Sequence, residues 1–141
     1  MNGSATHAAS AVAIDGRALL IEGPPGSGKS TLAIALIDRG AVLIGDDAVT
    51  LEMRGETLWA VPPPNISGKL ELRNVGIIEL PTTEAPASLV LKLSQDAPRF
   101  VEGAEDYKLS GTSVPLLHFN PAIAAAPIRA EWALRQYGLS G

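Results

Sequence analysis

The segment at residues 23–30 constrains this chain most, and it reads Gly-Pro-Pro-Gly-Ser-Gly-Lys-Ser. Its spacing is G-x-x-x-x-G-K-[ST], that of a phosphate-binding P-loop. An apolar run at 18–21 precedes it, and a run of helical character at 31–39 follows it. In this order of strand, loop and helix, loop N–H groups surround phosphate oxygens and the helix points its positive end at them. The sequence therefore predicts nucleotide binding.

The whole loop and the first residue after it are the expected nucleotide-binding residues: Gly23, Pro24, Pro25, Gly26, Ser27, Gly28, Lys29, Ser30 and Thr31. Lys29 brings a positive charge to the outer phosphates, and the Ser30 hydroxyl is a ligand for Mg²⁺. We therefore expect ATP and Mg²⁺ as ligands.

Composition narrows the class of protein. The 141 residues include no cysteine and only two histidines, which excludes disulfides and thiolate metal sites and disfavours a histidine metal cluster. A formal net charge of −4 without a block of like charges argues against nucleic acid as the main partner. No apolar stretch is long enough to span a membrane. We expect one cytoplasmic α/β domain over residues 1–141.

Short strands separated by turns make up most of the chain. Asp15-Gly16 predicts a tight hairpin turn. The apolar runs at 77–80 and 89–93 predict buried strands, and the polar segment 96–112 predicts a loop.

A late helix is predicted over about 127–137, because Pro127 suits a first helical turn; Asn120-Pro121 would also suit a helix start. Ile128, Trp132 and Ala133 are expected on its inward face. Phe100 and Trp132 are expected in the core.

Two adjacent acids, Asp46 and Asp47, end the strand predicted after the P-loop helix. Ligands gather at the carboxyl ends of strands in α/β folds. One carboxylate is suited to activate an attacking hydroxyl as a general base, and the other to hold Mg²⁺. Neighbouring side chains of a strand point in opposite directions, so the pair converges only if the chain turns at Gly45. A solvated turn without a function is the alternative.

Glu71 and Arg73 form a third candidate group, since alternation places them on one face of a predicted strand. A carboxylate and a guanidinium side by side suit a metal and a phosphate respectively. A solvent-facing surface pair explains the same spacing equally well.

Together these segments resemble the catalytic domain of HPr kinase/phosphorylase, the bacterial enzyme that phosphorylates a serine of the phosphocarrier protein HPr. Four ordered motifs carry the resemblance, which runs from about His7 to the end. They are His7 ahead of the first core strand, the P-loop, Ile-Gly-Asp-Asp-Ala-Val at 44–49, and Leu-Glu-Leu-Arg-Asn-Val-Gly-Ile-Ile at 70–78. The last is similar to the family signature Leu-Glu-(Ile/Val)-Arg-Gly-(Ile/Leu)-Gly-Ile-Ile.

The resemblance implies an α/β P-loop fold with a twisted, mostly β core, as in HPr kinase and PEP carboxykinase. It also implies a homo-oligomer, since members of the family form hexamers. It implies that Lys29 and the loop bind ATP and that Asp46 is the base, acting as the acid in reverse phosphorolysis. His7 is implied as a further catalytic residue.

The resemblance also implies the residues that contact the metal and the partner. The implied Mg²⁺ ligands are Ser30, Asp47 and Glu71. Arg73 and Arg129 are implied to contact phosphate or the HPr-type partner.

The chain departs from the family pattern in four places. We expect a form without the family's usual N-terminal domain, similar to the short forms of alphaproteobacteria. The P-loop has Pro24-Pro25 where the family often has an acid and a small residue. Asn74 stands where the signature has Gly, and the segment 120–127 lacks the arginines linked in the family with partner docking and phosphorolysis. A non-catalytic ATP-binding regulatory module and a P-loop kinase of a small metabolite therefore stay open as alternatives to a serine kinase.

Overall fold

The computed structural model describes residues 4–64 and 68–140. Its elements are β1 (Ser4–His7), β2 (Ser10–Ile14), β3 (Arg17–Glu22), α1 (Lys29–Asp38), β4 (Val42–Gly45), β5 (Val49–Arg54), β6 (Thr57–Val61), β7 (Lys69–Leu72), β8 (Gly76–Glu79), β9 (Ala85–Leu93), β10 (Glu105–Leu109), β11 (Thr112–Phe119) and α2 (Ala126–Tyr137).

A central sheet organises the fold around three neighbouring parallel strands, β3, β9 and β11. The antiparallel strands β2 and β4 extend it beyond β3, and β10 extends it beyond β11. The first residues of β9 also pair with β6, from which β5 and β1 continue as a second antiparallel layer. The carboxyl ends of the three parallel strands therefore meet at one edge, and the P-loop begins at the end of β3.

Both faces of the central sheet are buried. Residues 18–21 of β3 are apolar and have no exposed surface. Leu20 packs beneath the layer of β1, β5 and β6, whereas Leu19 and Ile21 pack beneath the two helices. A strand covered on both faces needs such a continuous apolar run, and alternation divides the run between the two cores.

The predicted α/β class and the first hairpin are confirmed. The turn between β2 and β3 is Asp15-Gly16, with φ of 51° and 78°. Two consecutive positive φ values are those of a type I′ turn, whose twist matches the flanking strands.

Two predictions about individual strands are wrong. Residues 76–79 do form β8, but Ile77 is 70% exposed, because β8 pairs with β7 in a hairpin separate from the central sheet. The segment 96–112 contains β10, which pairs with β11 through a turn at Ser110-Gly111. Strand β10 lies at the edge of the sheet, where a strand needs a pairing partner on one side only. A polar segment can therefore form such a strand.

The inward face predicted for the last helix is also wrong. Helix α2 buries Ala126, Ala130 and Leu134, which recur every four residues. Ile128 and Trp132 point outward, although Ala133 packs partly against the core. Phe100, also predicted as core, is 80% exposed.

Among the described residues, no helix combines the length and the apolar character needed to cross a membrane.

Candidate active site

The P-loop leaves β3 and enters α1 through glycines in left-handed conformations. Gly26 and Gly28 have φ of 79° and 106°, which a residue with a side chain rarely adopts. Helix α1 begins at Lys29 with no side-chain cap and no acid in its first turn. Its first N–H groups are therefore available to an anion, which the helix dipole also favours.

Lys29 folds back over the loop. Its Nζ donates hydrogen bonds to the carbonyl oxygens of Gly23 at 2.7 Å and Pro24 at 3.3 Å. The ammonium group is thus positioned above the concave side of the loop, where phosphate oxygens would lie.

Asp46 lies behind the loop and accepts two hydroxyl hydrogen bonds at one oxygen. The Ser30 Oγ donates to Asp46 Oδ1 at 2.7 Å, and the Ser10 Oγ donates to the same oxygen at 2.9 Å. Ser10 is fully buried at the start of β2, and its Oγ accepts the backbone N–H of Asp47 at 3.2 Å. The first aspartate is therefore held on the P-loop serine.

Asp47 is exposed and takes a different direction from its neighbour. Its φ of 64° is left-handed, so the chain turns here rather than at Gly45. Gly45 is required for another reason, since a Cβ there would lie 2.4 Å from the Ala48 carbonyl oxygen. The turn directs the second aspartate into the cavity above the loop.

That cavity, here called the phosphate cavity, has a volume of about 950 Å³. The P-loop forms its floor, and Asp47 lies on its wall together with residues 71–76 of the β7–β8 hairpin. Lys29, Glu71 and Arg73 all line it. The fold thus brings together three segments that are up to about fifty residues apart in the sequence.

The polar groups around the cavity suit a hard cation. The Ser30 hydroxyl and the carboxylates of Asp46, Asp47 and Glu71 are oxygen donors, which Mg²⁺ prefers. Within residues 4–64 and 68–140, no three His, Cys, Asp or Glu side chains are grouped closely enough to enclose a metal. Mg²⁺ commonly binds through one or two carboxylates and completes its shell with water and phosphate oxygens, so this donor set fits it.

A buried carboxylate network adjoins the loop. Glu22, the last residue of β3, is 8% exposed. Its Oε2 lies 2.6 Å from His7 Nε2, and its Oε1 accepts the Tyr107 hydroxyl at 2.9 Å. Burial raises the pKa of the Glu22 carboxyl, but the bonds to His7 and Tyr107 outweigh burial, so this pKa lies below its usual range. Because the ionised carboxylate only accepts, His7 carries a hydrogen on Nε2.

The predicted site residues do not all meet. His7 lies beside the base of the loop through Glu22, and it does not line the phosphate cavity. Arg129 is on α2, where its Nε donates to the Ala124 carbonyl oxygen at 2.9 Å, away from the cavity.

Sequence reasoning missed Ser10, Glu22 and Tyr107. Ser10 and Tyr107 carry no local signal, because they reach the site only through strand pairing. Glu22 does carry one, since an acid at the end of an otherwise apolar strand needs partners when it is buried.

Known proteins are similar to this chain over most of its length. The model of the HPr Serine kinase C-terminal domain family matches residues 2–84. An HPr kinase/phosphorylase of Clostridium acetobutylicum is 36% identical over 129 residues, which cover 84% of this chain and 41% of that protein. One of Streptococcus salivarius is 31% identical over 118 residues, covering 74% and 38%. The chain thus spans less than half the length of these curated relatives.

A solved structure agrees with the sequence comparisons. The Hpr(Ser) kinase/phosphatase from Coxiella burnetii superposes with a TM-score of 0.82 at 26% identity, covering 93% of this chain and 88% of that one. Fold, motif order and sequence identity agree, and the chain belongs to the HPr serine kinase C-terminal domain family.

Proposed function

We propose that this chain binds ATP with Mg²⁺ and transfers the γ-phosphoryl group to a serine hydroxyl of an HPr-type phosphocarrier protein. The observation that carries the proposal is the phosphate cavity, in which a P-loop, an exposed aspartate and the signature hairpin face one another. Family membership supports the choice of a protein serine as acceptor.

The loop residues would bind and orient the triphosphate. The free N–H groups at the start of α1 would donate to phosphate oxygens, and Lys29 would exchange its two carbonyl partners for the outer phosphates. Mg²⁺ would neutralise charge that develops on the β- and γ-phosphate oxygens. Ser30 and Asp46 would hold it from behind the loop, and Glu71 would face it across the cavity.

The hydrogen bonds favour a division of labour between the two aspartates that differs from the one implied by resemblance. Asp46 is engaged by the hydroxyls of Ser30 and Ser10, which suits a group on the metal side. Asp47 is exposed toward the cavity and is accessible to an incoming hydroxyl. We therefore assign the general base to Asp47 and metal binding to Asp46.

The transfer then balances as a single displacement. The Asp47 carboxylate takes the proton of the serine hydroxyl while the serine oxygen attacks the γ-phosphorus. The bond from that phosphorus to the bridging oxygen breaks, and ADP leaves. In phosphorolysis, an oxygen of inorganic phosphate would attack the phosphorus of phosphoserine, and the bond from that phosphorus to the serine oxygen would break. Pyrophosphate would form, and the protonated Asp47 carboxyl would return its proton to the serine oxygen.

Transfer from γ-labelled ATP to an HPr-type carrier tests this assignment, with the Mg²⁺ concentration varied. We expect Asp47→Asn to lower the transfer rate by about 10²–10⁴-fold with little change in ATP affinity. We expect Asp46→Asn to raise the Mg²⁺ concentration required. Asp38→Asn, the same change at an exposed position of α1, is the matched control.

The contrary outcomes are distinct. Suppose that Asp47→Asn transfers phosphate normally and that Asp46→Asn transfers none at any Mg²⁺ concentration. The general base would then be Asp46. Binding of ATP without transfer to any carrier would favour a non-catalytic regulatory module. Transfer to a small metabolite alone would favour a metabolite kinase.

A further inference from the structure

We propose that the purine base of the bound nucleotide occupies a second cavity, on the other side of the P-loop from the phosphate cavity. The inference rests on the proposed function, since it places the rest of the same nucleoside triphosphate. This base cavity has a volume of about 300 Å³. The lining residues that matter here are Pro24, Pro25, Leu93, Gln95, Asn120 and Ala122.

The base cavity lies at the carboxyl ends of the parallel strands, where ligands bind in α/β folds. It is lined by the P-loop after β3, by the end of β9 and by the residues that follow β11. These three strands are parallel neighbours, and their carboxyl ends share one edge of the sheet. Asp46 and Asp47 follow β4, which lies on the opposite side of β3. The two aspartates and the base cavity therefore flank the loop on opposite sides.

The two cavities are adjacent and differ in charge. Pro25 and Gly26 line both of them, so a nucleotide with its phosphates on the loop has its nucleoside at the rim of the base cavity. The phosphate cavity is lined by charged groups of both signs. The described lining of the base cavity contains none. An uncharged aromatic base is accordingly favoured in the second cavity and disfavoured in the first.

The lining matches the chemistry of a purine. Proline rings, Leu93 and Ala122 offer apolar surface to the faces of the ring system. At the rim, the Asn120 Oδ1 accepts the Ala122 N–H at 2.9 Å, which leaves the amide nitrogen of Asn120 with both hydrogens free. The side-chain amide of Gln95 makes no hydrogen bond within the described structure. These amides can bond to the polar edge of a base.

The segment 120–127, which lacks the arginines of the family pattern, helps to form the base cavity. Pro121 packs against the P-loop, with its Cγ 3.5 Å from the position that a Cβ on Gly28 would take. The small residue that follows it, Ala122, leaves the base cavity open.

Filling the cavity tests the proposal. Ala122 is exposed, so Ala122→Trp adds a ring to the cavity without replacing a core residue. Ala124→Trp is the matched control, because Ala124 is exposed in the same loop and does not line the cavity. We would measure the affinities of ATP and of inorganic tripolyphosphate, both with Mg²⁺, by calorimetry. We expect Ala122→Trp to weaken ATP binding by about tenfold or more and to leave tripolyphosphate within about twofold, with the control unchanged for both probes.

Several results would overturn the inference, and they separate it from the proposed function. If Ala122→Trp binds ATP with unchanged affinity, the purine base does not occupy this cavity. Wild-type protein that binds ATP no more tightly than tripolyphosphate would show that the base makes no useful contact, while phosphate binding stands. Wild-type protein that binds neither probe would overturn the proposed function and this inference together.

A photolabel keeps the test decisive if the substitution weakens both probes. Irradiation of the wild-type protein with 8-azido-ATP should label peptides that contain residues 93–95 or 120–122. Labelling confined to residues 71–76 would place the base in the phosphate cavity and contradict the proposal.

Discussion

At the scale of single residues, Glu22 shows how one buried carboxylate can connect three strands. It is the last residue of β3, directly before the loop, and it hydrogen-bonds to His7 of β1 and Tyr107 of β10. A buried carboxylate without partners would be costly, so these bonds explain how an acid is tolerated there. The network fixes the strand from which the P-loop begins.

The depressed pKa of Glu22 predicts a dependence of stability on pH. Its folded-state pKa lies below the ordinary value of 4.5, so the unfolded chain binds more protons between the two pKa values. The stabilisation is therefore complete above the unfolded pKa and is lost as the pH falls through the folded pKa. We expect the wild type to lose more unfolding free energy than Glu22→Gln between about pH 6 and pH 3, as measured by urea denaturation.

Glu102→Gln is the control for that experiment, since Glu102 is exposed. It should follow the wild type across the whole range. Parallel curves for wild type and Glu22→Gln would show that the network does not lower the Glu22 pKa.

Asn74 explains a departure from the family signature at the same scale. Its φ of 70° is left-handed, in the turn between β7 and β8. Glycine adopts this conformation without strain, and asparagine tolerates it better than most residues. The exchange of glycine for asparagine therefore keeps the turn that presents Glu71 and Arg73 to the phosphate cavity.

At the scale of elements, α2 begins one residue before the predicted Pro127 and ends at the predicted Tyr137, but its inward face was predicted wrongly. The large side chains of Ile128 and Trp132 suggested the inward stripe. The structure buries the small residues Ala126 and Ala130 instead, with Leu134 as the large one. Small residues let the helix approach α1 and the sheet closely, and Trp132 is covered outside by the Arg135 guanidinium at 4.8 Å.

Two substitutions on this helix distinguish the faces. Leu134 is 1% exposed, so we expect Leu134→Ala to lower the unfolding free energy by about 2–5 kcal/mol. Trp132 is 58% exposed, so Trp132→Ala should change it by about 0.5 kcal/mol or less. Chemical denaturation with circular dichroism measures both, and a larger loss in Trp132→Ala would reverse the assignment of the faces.

At the scale of the whole molecule, the candidate site exists only in the folded chain. The P-loop follows β3, the aspartates follow β4, and Glu71 and Arg73 come from a hairpin that pairs with neither strand. A ligand that contacts all three segments binds the native state and not the unfolded chain. Binding must therefore stabilise the fold.

The expected stabilisation is measurable. Free Mg²⁺-ATP at about 100 times its Kd should raise the unfolding free energy by about 2.7 kcal/mol, seen as a higher Tm. Lys29→Ala should lose most of the increase, and chelation of Mg²⁺ by EDTA should reduce it in the wild type. Lys108→Ala, at an exposed position of β10, is the control. An equal increase of Tm in Lys29→Ala would argue against nucleotide binding at the P-loop.

The sequence by itself determined the local features of this protein. The loop at 23–30, the turn at Asp15-Gly16 and the apolar strand β3 follow from backbone conformations and burial patterns that short segments specify. The order of the four motifs sufficed for the family. None of these inferences needed knowledge of which segments meet.

The tertiary structure decided what depends on contacts between distant segments. Ser10 and Tyr107 became site neighbours through strand pairing. Ile77 is exposed because its strand belongs to a two-stranded hairpin separate from the central sheet. The contrast between Asp46 and Asp47 arises from a left-handed turn and from a hydroxyl on another strand. The two residues are both aspartates and are adjacent in the sequence. Only their different surroundings in the folded structure therefore distinguish their proposed roles.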